Sequence, residues 1–440
     1  MKIVILGGGA TGMGVAAKLK RNDKNNEVIV IETENYVSLG ACGLPYFVGN
    51  HFENKNNLFA RSIEKFNESG IEVKINQKFL NADFDNKKID LEDQTISYDK
   101  LVIATGSTNS VPNISGLDDI KWHKLTKLED ALELKEKCKD TDVKNILIVG
   151  AGFIGLELAE NLSKLGKSIT IVERDEELFS RLYDEEISQL LEQNLQRNKI
   201  ELILNSSVSE FKKSNNNKVL ANINQTEFEY DLVVLASGFK PNTKFFKDSK
   251  LKMDNKGAII VDEFGATNIV DVYSGGDCCV IKNKITNELC YSPLATVASK
   301  QAKVIANNIC NINSKFSGTI QSSIIRVFDD SAARAGITEK EAISMTMKIK
   351  TVFIKDKDHT NYLKGQKDIY LKLIMNEDTK ELVGAQMLGD PNSILRFYCL
   401  VPLIWNKNKV DESLEQIDLP YAPPFSRTFD IIHIALSKLV

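Results

Sequence analysis

Apolar residues fall in short runs, and the runs repeat along the chain. Lys2–Leu6 is apolar after its first residue and reads as a buried strand. Residues 12–21 put Val15, Ala16 and Leu19 at helical spacing, and Glu27–Ile31 is a second strand that ends at Glu32. Residues 66–73 continue in the same manner, and residues 98–107 form another buried strand. The order then begins again. Asn145–Val149 is a strand, residues 156–165 a helix, Ser168–Val172 a strand that ends at Glu173, and residues 230–238 echo residues 98–107. Residues 324–328, 349–354, 369–375 and 382–388 read as strands of a last, separate unit. Strands that alternate with helices predict an α/β fold with parallel sheets.

The joints between these runs carry chemistry. Each half has a glycine turn between its first strand and its helix, Gly7-Gly8-Gly9-Ala10-Thr11-Gly12 and Gly150-Ala151-Gly152-Phe153-Ile154-Gly155. Such a turn lets the backbone approach a pyrophosphate, and the start of the helix offers it unpaired N–H groups. An acid at the end of the second strand, Glu32 or Glu173, can bind both hydroxyls of a ribose. Strand, turn, helix, strand and acid in register point to a dinucleotide far more firmly than glycines alone. Both halves then reach a strand opened by Tyr-Asp and closed by Ala-x-Gly. The closing turns are Ala104-Thr105-Gly106 and Ala236-Ser237-Gly238. This duplication predicts two Rossmann-like domains holding two dinucleotides, the arrangement that an electron-transfer enzyme with a resident flavin and a visiting nicotinamide needs.

Residues 267–277 run from an apolar strand into Gly276-Asp277, which can set Asp277 beside a ribityl chain. Their place after the second unit implies that the chain returns to its first domain. The expected boundaries are 1–112 with 243–317 for the FAD domain, 113–242 for the nicotinamide domain and 318–440 for the last domain. Glu173 favours the unphosphorylated ribose of NADH, while Arg174 beside it can tolerate the extra phosphate of NADPH.

Composition removes other classes. The 440 residues suit about three domains. The 56 basic and 60 acidic residues are interspersed, with no basic stripe for nucleic acid. No apolar run approaches a membrane span, and the opening strand is too short for a signal peptide. The seven cysteines include no CxxC pair, and with the four isolated histidines they offer no metal-ligand spacing. An odd cysteine count without a framework fits a reducing, cytoplasmic setting.

One cysteine stands apart. Residues 37–49 set Cys42 between glycines, shortly after the first dinucleotide unit. A thiol there can sit against a flavin ring, and its thiolate is the nucleophilic form.

Assembled, these residues resemble the FAD-dependent pyridine nucleotide-disulfide oxidoreductases over essentially the whole chain. Within them the chain is most similar to the single-cysteine branch of coenzyme A-disulfide reductases and NADH oxidases. Dithiol members carry a second cysteine five positions on, where this chain has Phe47. Oxidase and peroxidase members usually carry a histidine at the position of Ala10. The segment 291–296, with Leu294, Ala295 and Thr296, resembles the family's flavin-facing segment, and Glu157 matches a residue near the nicotinamide. The last domain resembles the family's dimerisation domain, which implies a homodimer. Its His359-Thr360-Asn361-Tyr362 and Pro420-Tyr421-Ala422-Pro423-Pro424-Phe425-Ser426 match segments whose tyrosines reach the partner subunit's active site. The resemblance implies Tyr362 and Tyr421 as catalytic residues, and Arg21, Ser38 and Lys18 as contacts to coenzyme A. The implied reaction is reduction of coenzyme A disulfide through a Cys42 mixed disulfide. The alternative is an NADH oxidase or peroxidase working through a Cys42 sulfenic acid. Residues 390–405 match the family poorly.

Overall fold

A computed structural model describes residues 1–214 and 218–440. The chain forms two compact units. One comprises Met1–Ser110, Thr126–Leu132 and Gly238–Thr319, and the other Val111–Leu125, Glu133–Ser237 and Ile320–Val440.

The first unit is built on a five-stranded parallel sheet. In order across it lie Val272–Ser274, Lys100–Ile103, Lys2–Leu6, Glu27–Ile31 and Ile71–Lys74. The chain thus returns to its first sheet with Val272–Ser274, far along the sequence. Ile3, Val4 and Ile5 are wholly buried because helices cover one face and the strands Phe79–Asp83, Lys88–Leu91 and Thr95–Ser97 help cover the other, which is why this strand reads as a continuous apolar run rather than an alternating one. The helices Ala10–Asn22 and Ala295–Ile309 pack on one face so closely that a Cβ on Gly14 would stand 2.9 Å from that of Ala302.

The second unit repeats the plan. Glu201–Ile203, Ser168–Val172, Asn145–Val149 and Leu232–Leu235 form a parallel sheet in the corresponding order. The likeness extends past what the sequence pattern revealed. Each half also carries a three-stranded antiparallel sheet ahead of its Tyr-Asp strand: Phe79–Asp83, Lys88–Leu91 and Thr95–Ser97 in one, Val208–Lys213, Val219–Ile223 and Thr226–Tyr230 in the other. The Tyr-Asp pair does the same work in both. Asp99 accepts the backbone N–H of Lys2 at 2.6 Å, and Asp231 that of Asn145 at 2.7 Å, so each aspartate fixes the start of the first strand of its sheet.

The end of the chain forms a five-stranded antiparallel sheet ordered Ser323–Val327, Asp330–Gly336, Leu382–Gly389, Asp368–Asn376 and Ile349–Lys357. Four of these strands match those expected from the sequence. The strand Asp330–Gly336 was not expected, because its sequence DSAARAG has no alternation and little β-propensity. Its small side chains are buried on both sides, so tertiary packing decides its state. Residues 66–73 divide into the end of a helix, Ile63–Glu68, and the strand Ile71–Lys74.

Candidate active site

Both glycine turns adopt the same tight, open geometry, which can receive a pyrophosphate. Gly7 and Gly150 each have φ of 107°, a conformation that side chains resist. A Cβ on Gly7 would also meet the Ala104 carbonyl oxygen at 2.2 Å, and one on Gly150 that of Ala236 at 2.5 Å. Gly12 and Gly155 are pressed against the carbonyls of Gly7 and Gly150, which draws each helix onto its turn. The third position differs. A Cβ on Gly9 or Gly152 would meet nothing within 4 Å, so these two face an open cradle. The helices Ala10–Asn22 and Phe153–Lys164 begin there without a side-chain cap, leaving the N–H groups of Ala10, Thr11 and Gly12, and of Phe153, Ile154 and Gly155, for an anion. The closing glycines Gly106 and Gly238, at φ of 66° and 94°, are equally open.

The two acids at the ends of the second strands are held alike. Glu32 accepts the N–H of Gly8 at 2.6 Å and that of Glu34 at 2.9 Å. Glu173 accepts Ala151 at 2.8 Å and Asp175 at 3.1 Å. Each carboxylate is thereby fixed at the mouth of its glycine turn. Arg174 is solvent-exposed and ion-paired with Asp175 at 3.5 Å. Glu157 is half-buried in the first turns of its helix.

Asp277 follows the returning strand. Thr11 packs so closely that a Cβ on Gly276 would stand 2.3 Å from its hydroxyl, which ties Gly276-Asp277 to the first glycine turn. Burial pushes the Asp277 carboxyl above the usual carboxylate range, and Ser107 donates to it at 3.2 Å. Tyr291 donates to the Asp277 carbonyl at 2.9 Å. The roles of Ser107 and Tyr291 were not singled out from the sequence, since neither pairing leaves a local pattern. Leu294 stands before the uncapped helix that opens with Ala295 and Thr296, both exposed. The open cradle at Gly9, the uncapped helix start, the fixed acid Glu32 and the half-buried acid Asp277 fit a bound FAD.

Cys42 is exposed, in a single helical turn, Ala41–Gly43. Its loop is fastened to the first glycine turn. Ser38, in the left-handed region at φ 58°, donates its N–H to the Gly8 carbonyl at 2.8 Å and accepts from Ala60 at 3.1 Å. Gly40 donates to Leu58 at 2.7 Å. Cys42 is the most accessible of the seven cysteines, none of which is in a disulfide. Phe47 is buried, so no second thiol stands five residues on. The vicinal pair Cys278-Cys279 is wholly buried and burial raises both thiols, which keeps them protonated.

Lys18 and Arg21 lie in the later turns of the first helix, with Arg21 about 16 Å along it from Ala10 at the usual helical rise. The structure therefore does not gather them around the glycine turn as it gathers Ser38. In the other unit, Tyr362 and Tyr421 come together from segments that are far apart in sequence. Their hydroxyls are 3.2 Å apart, and both side chains are exposed. Among the described residues no cluster of histidine, cysteine and carboxylate side chains is suited to a metal ion, and no helix is long and apolar enough to cross a membrane.

Comparison with known proteins places this geometry. Residues 1–302 match the pyridine nucleotide-disulphide oxidoreductase family, and residues 323–430 match its dimerisation domain. The NAD(P)H sulfur oxidoreductase (CoA-dependent) of Pyrococcus abyssi is 31% identical over 97% of this chain and 96% of its own. The coenzyme A disulfide reductase of Staphylococcus aureus is 28% identical over 98% of each chain. The water-forming NADH oxidase of Lactobacillus brevis, solved with NADH, superposes with a TM-score of 0.95 at 27% identity, covering 100% of this chain and 98% of that one.

Proposed function

The chain belongs to the pyridine nucleotide-disulphide oxidoreductase family, and on that premise we propose that it reduces coenzyme A disulfide with NADH through Cys42 alone. It is an oxidoreductase that uses FAD and a nicotinamide nucleotide. The observation that carries the substrate reading is the accessible Cys42, fastened to the flavin-side glycine turn through Ser38, with buried Phe47 where a dithiol enzyme needs its second sulfur.

We assign FAD to residues 1–112 and 243–317, the nicotinamide to 113–242 and dimerisation to 318–440. Gly7, Gly9, Ala10, Thr11 and Gly12 hold the FAD pyrophosphate, Glu32 its ribose and Asp277 its ribityl chain. Gly150, Gly152, Phe153, Ile154 and Gly155 hold the nicotinamide nucleotide, with Glu173 on its ribose. Held by these residues, FAD would supply the two-electron link between the nicotinamide and sulfur. The Cys42 thiolate attacks one sulfur of coenzyme A disulfide, forming a Cys42–coenzyme A disulfide and expelling one coenzyme A thiolate. Two electrons then cleave that bond, restoring the Cys42 thiolate and releasing the second coenzyme A. Tyr421, assisted by Tyr362 and supplied by the second copy of a homodimer, donates a proton to the departing thiolate. The balance is one NADH and one proton consumed, with NAD⁺ and two thiols formed. Arg21, Lys18 and Ser38 are the assigned contacts to coenzyme A. A reducing cytoplasm, where coenzyme A must be kept as the thiol, suits this chemistry.

A second reading, oxygen or peroxide reduction through a Cys42 sulfenic acid, draws on the likeness to the L. brevis oxidase. Ala10 counts against it, since no imidazole stands at the glycine turn. Mass spectrometry under denaturing, non-reducing conditions separates the two. Coenzyme A disulfide added without NADH should leave one disulfide-linked coenzyme A on the wild-type chain and none on Cys42→Ser. An unmodified wild-type chain sinks the reductase reading.

A further inference from the structure

The segment 390–405, which lies within the match to the dimerisation domain, holds the base of the tyrosine pair. Arg396 lies in the short helix Ser393–Cys399, with its side chain only 14% exposed. Its guanidinium is used on every side. Nε donates to the Ser393 carbonyl at 3.0 Å, which fixes the side chain against its own helix. Nη1 donates to Asp430 at 2.6 Å. Nη2 donates to the carbonyls of Asp358 and Phe425, each at 2.9 Å. Asp358 stands four residues before Tyr362, and Phe425 four residues after Tyr421. One planar group therefore clasps both tyrosine-bearing segments.

The far anchor is rigid as well. Asp430 caps the helix Ile431–Ser437, accepting the Ile432 N–H at 3.0 Å, while His433 accepts the Asp430 N–H at 3.2 Å. Between clasp and tyrosines there is one more rung, Thr360 donating its hydroxyl to the Pro423 carbonyl at 3.1 Å. Tyr362 is 67% exposed and Tyr421 41%, so packing does little to hold their tips. The spacing of the hydroxyls is set from below.

We propose that Arg396 is a positioning residue, which sets the Tyr362–Tyr421 contact and so the aim of the proton donor in disulfide reduction. The proposal rests on the reading of the tyrosines given above. Lysine cannot replace Arg396, because an ammonium lacks the flat fork that reaches two carbonyls and a carboxylate together. The role is indirect, since Arg396 acts only through the loops it joins.

The test uses the FAD-loaded enzyme and a double-mutant cycle. Steady-state turnover with coenzyme A disulfide is measured for wild type, Arg396→Gln, Arg396→Lys, Tyr421→Phe and Arg396→Gln/Tyr421→Phe, together with the rate at which NADH bleaches the flavin. A misplacement of about 1 Å costs about 100-fold. Arg396→Gln and Arg396→Lys should each lose turnover on this scale with the bleaching rate unchanged. The loss from Arg396→Gln should disappear in the Tyr421→Phe background. Thr360→Val, which removes one rung and not the clasp, guards against misfolding and should lose turnover more mildly in the same pattern. If Tyr421→Phe is impaired but Arg396→Gln is not, or if the two losses simply multiply, Arg396 does not act through the tyrosines and the proposal fails. If Tyr421→Phe itself turns over normally, the reading of the tyrosines fails first and takes the proposal with it.

Discussion

The hydroxyls of Tyr362 and Tyr421 lie 3.2 Å apart, although 59 residues separate them in the chain. The hydrogen bond between Tyr421 and Tyr362 holds the Tyr421 phenol above its ordinary range, with a smaller contribution from burial. A phenol with a raised pKa stays protonated to higher pH and remains a usable donor there. Tyr362→Phe removes that bond. The alkaline limb of turnover with coenzyme A disulfide should then move to lower pH, and a pH–rate profile of the variant checks it. Tyr421→Phe should lower turnover about 100-fold, the usual scale for a lost general acid.

Asp277 links stability to cofactor retention. Its carboxyl is raised by burial in the folded chain, so the folded form binds the proton more tightly than the unfolded form. That preference costs nothing below the unfolded pKa. Once pH rises through it and towards the folded value, the buried charge destabilises the apoprotein. Asp277→Asn should therefore raise the melting temperature of the apoprotein at neutral pH and leave it nearly unchanged under acid conditions. On the proposed assignment of Asp277 to the ribityl chain, the same variant removes a charged hydrogen-bond acceptor, and FAD should be held about 10- to 100-fold more weakly. Thermal scans of the apoprotein and FAD release by gel filtration read the two effects separately.

The proposed role of Glu173 on the nicotinamide ribose is open to a direct test. Glu173 accepts the N–H of buried Ala151, which fixes its carboxylate at the glycine turn. Glu173→Gln should cut kcat/KM for NADH about tenfold or more, in line with the loss of a hydrogen bond to a charged group. The value for NADPH should fall less, since exposed Arg174 is at hand for the extra phosphate. Kinetics with both nucleotides, on one preparation, settle the ratio.

Lys372 is a structural counterpart. Only 3% of its side chain is exposed, and it meets Glu186 at 2.7 Å, Glu339 at 2.6 Å and Asp184 at 3.7 Å. Asp184 is buried too and exchanges hydrogen bonds with Gln386 at 2.8 and 2.5 Å. Lys372→Met leaves three carboxylates facing one another without their cation. A loss of about 3 kcal/mol is expected, the usual scale for breaking a buried ion pair. The midpoint of urea denaturation measures it.

The sequence disclosed the features that repeat locally. Glycine turns, strand-end acids and Tyr-Asp strands lie within a few residues of the strands and helices they serve, so their order survives in the chain. The expected helix over residues 12–21 begins earlier, at Ala10, because the open turn offers no capping side chain to mark its start. The roles of Arg396 and Lys372 were hidden for the opposite reason. Arg396 acts on carbonyl groups, which carry no sequence identity, in loops 29 to 38 residues away. Lys372 meets a carboxylate 186 residues distant. The pairing of Tyr362 with Tyr421 was prefigured only by the likeness of their segments to the family.

The central claim is that Cys42 alone passes electrons to a disulfide. It is tested most directly by counting thiols released per NADH oxidised, under anaerobic conditions, with coenzyme A disulfide as the acceptor. Wild type should release two thiols for each NADH and Cys42→Ser none, with FAD still bound in both. No anaerobic turnover, followed by rapid Cys42-dependent NADH consumption when oxygen is admitted, would contradict the account and identify an oxidase.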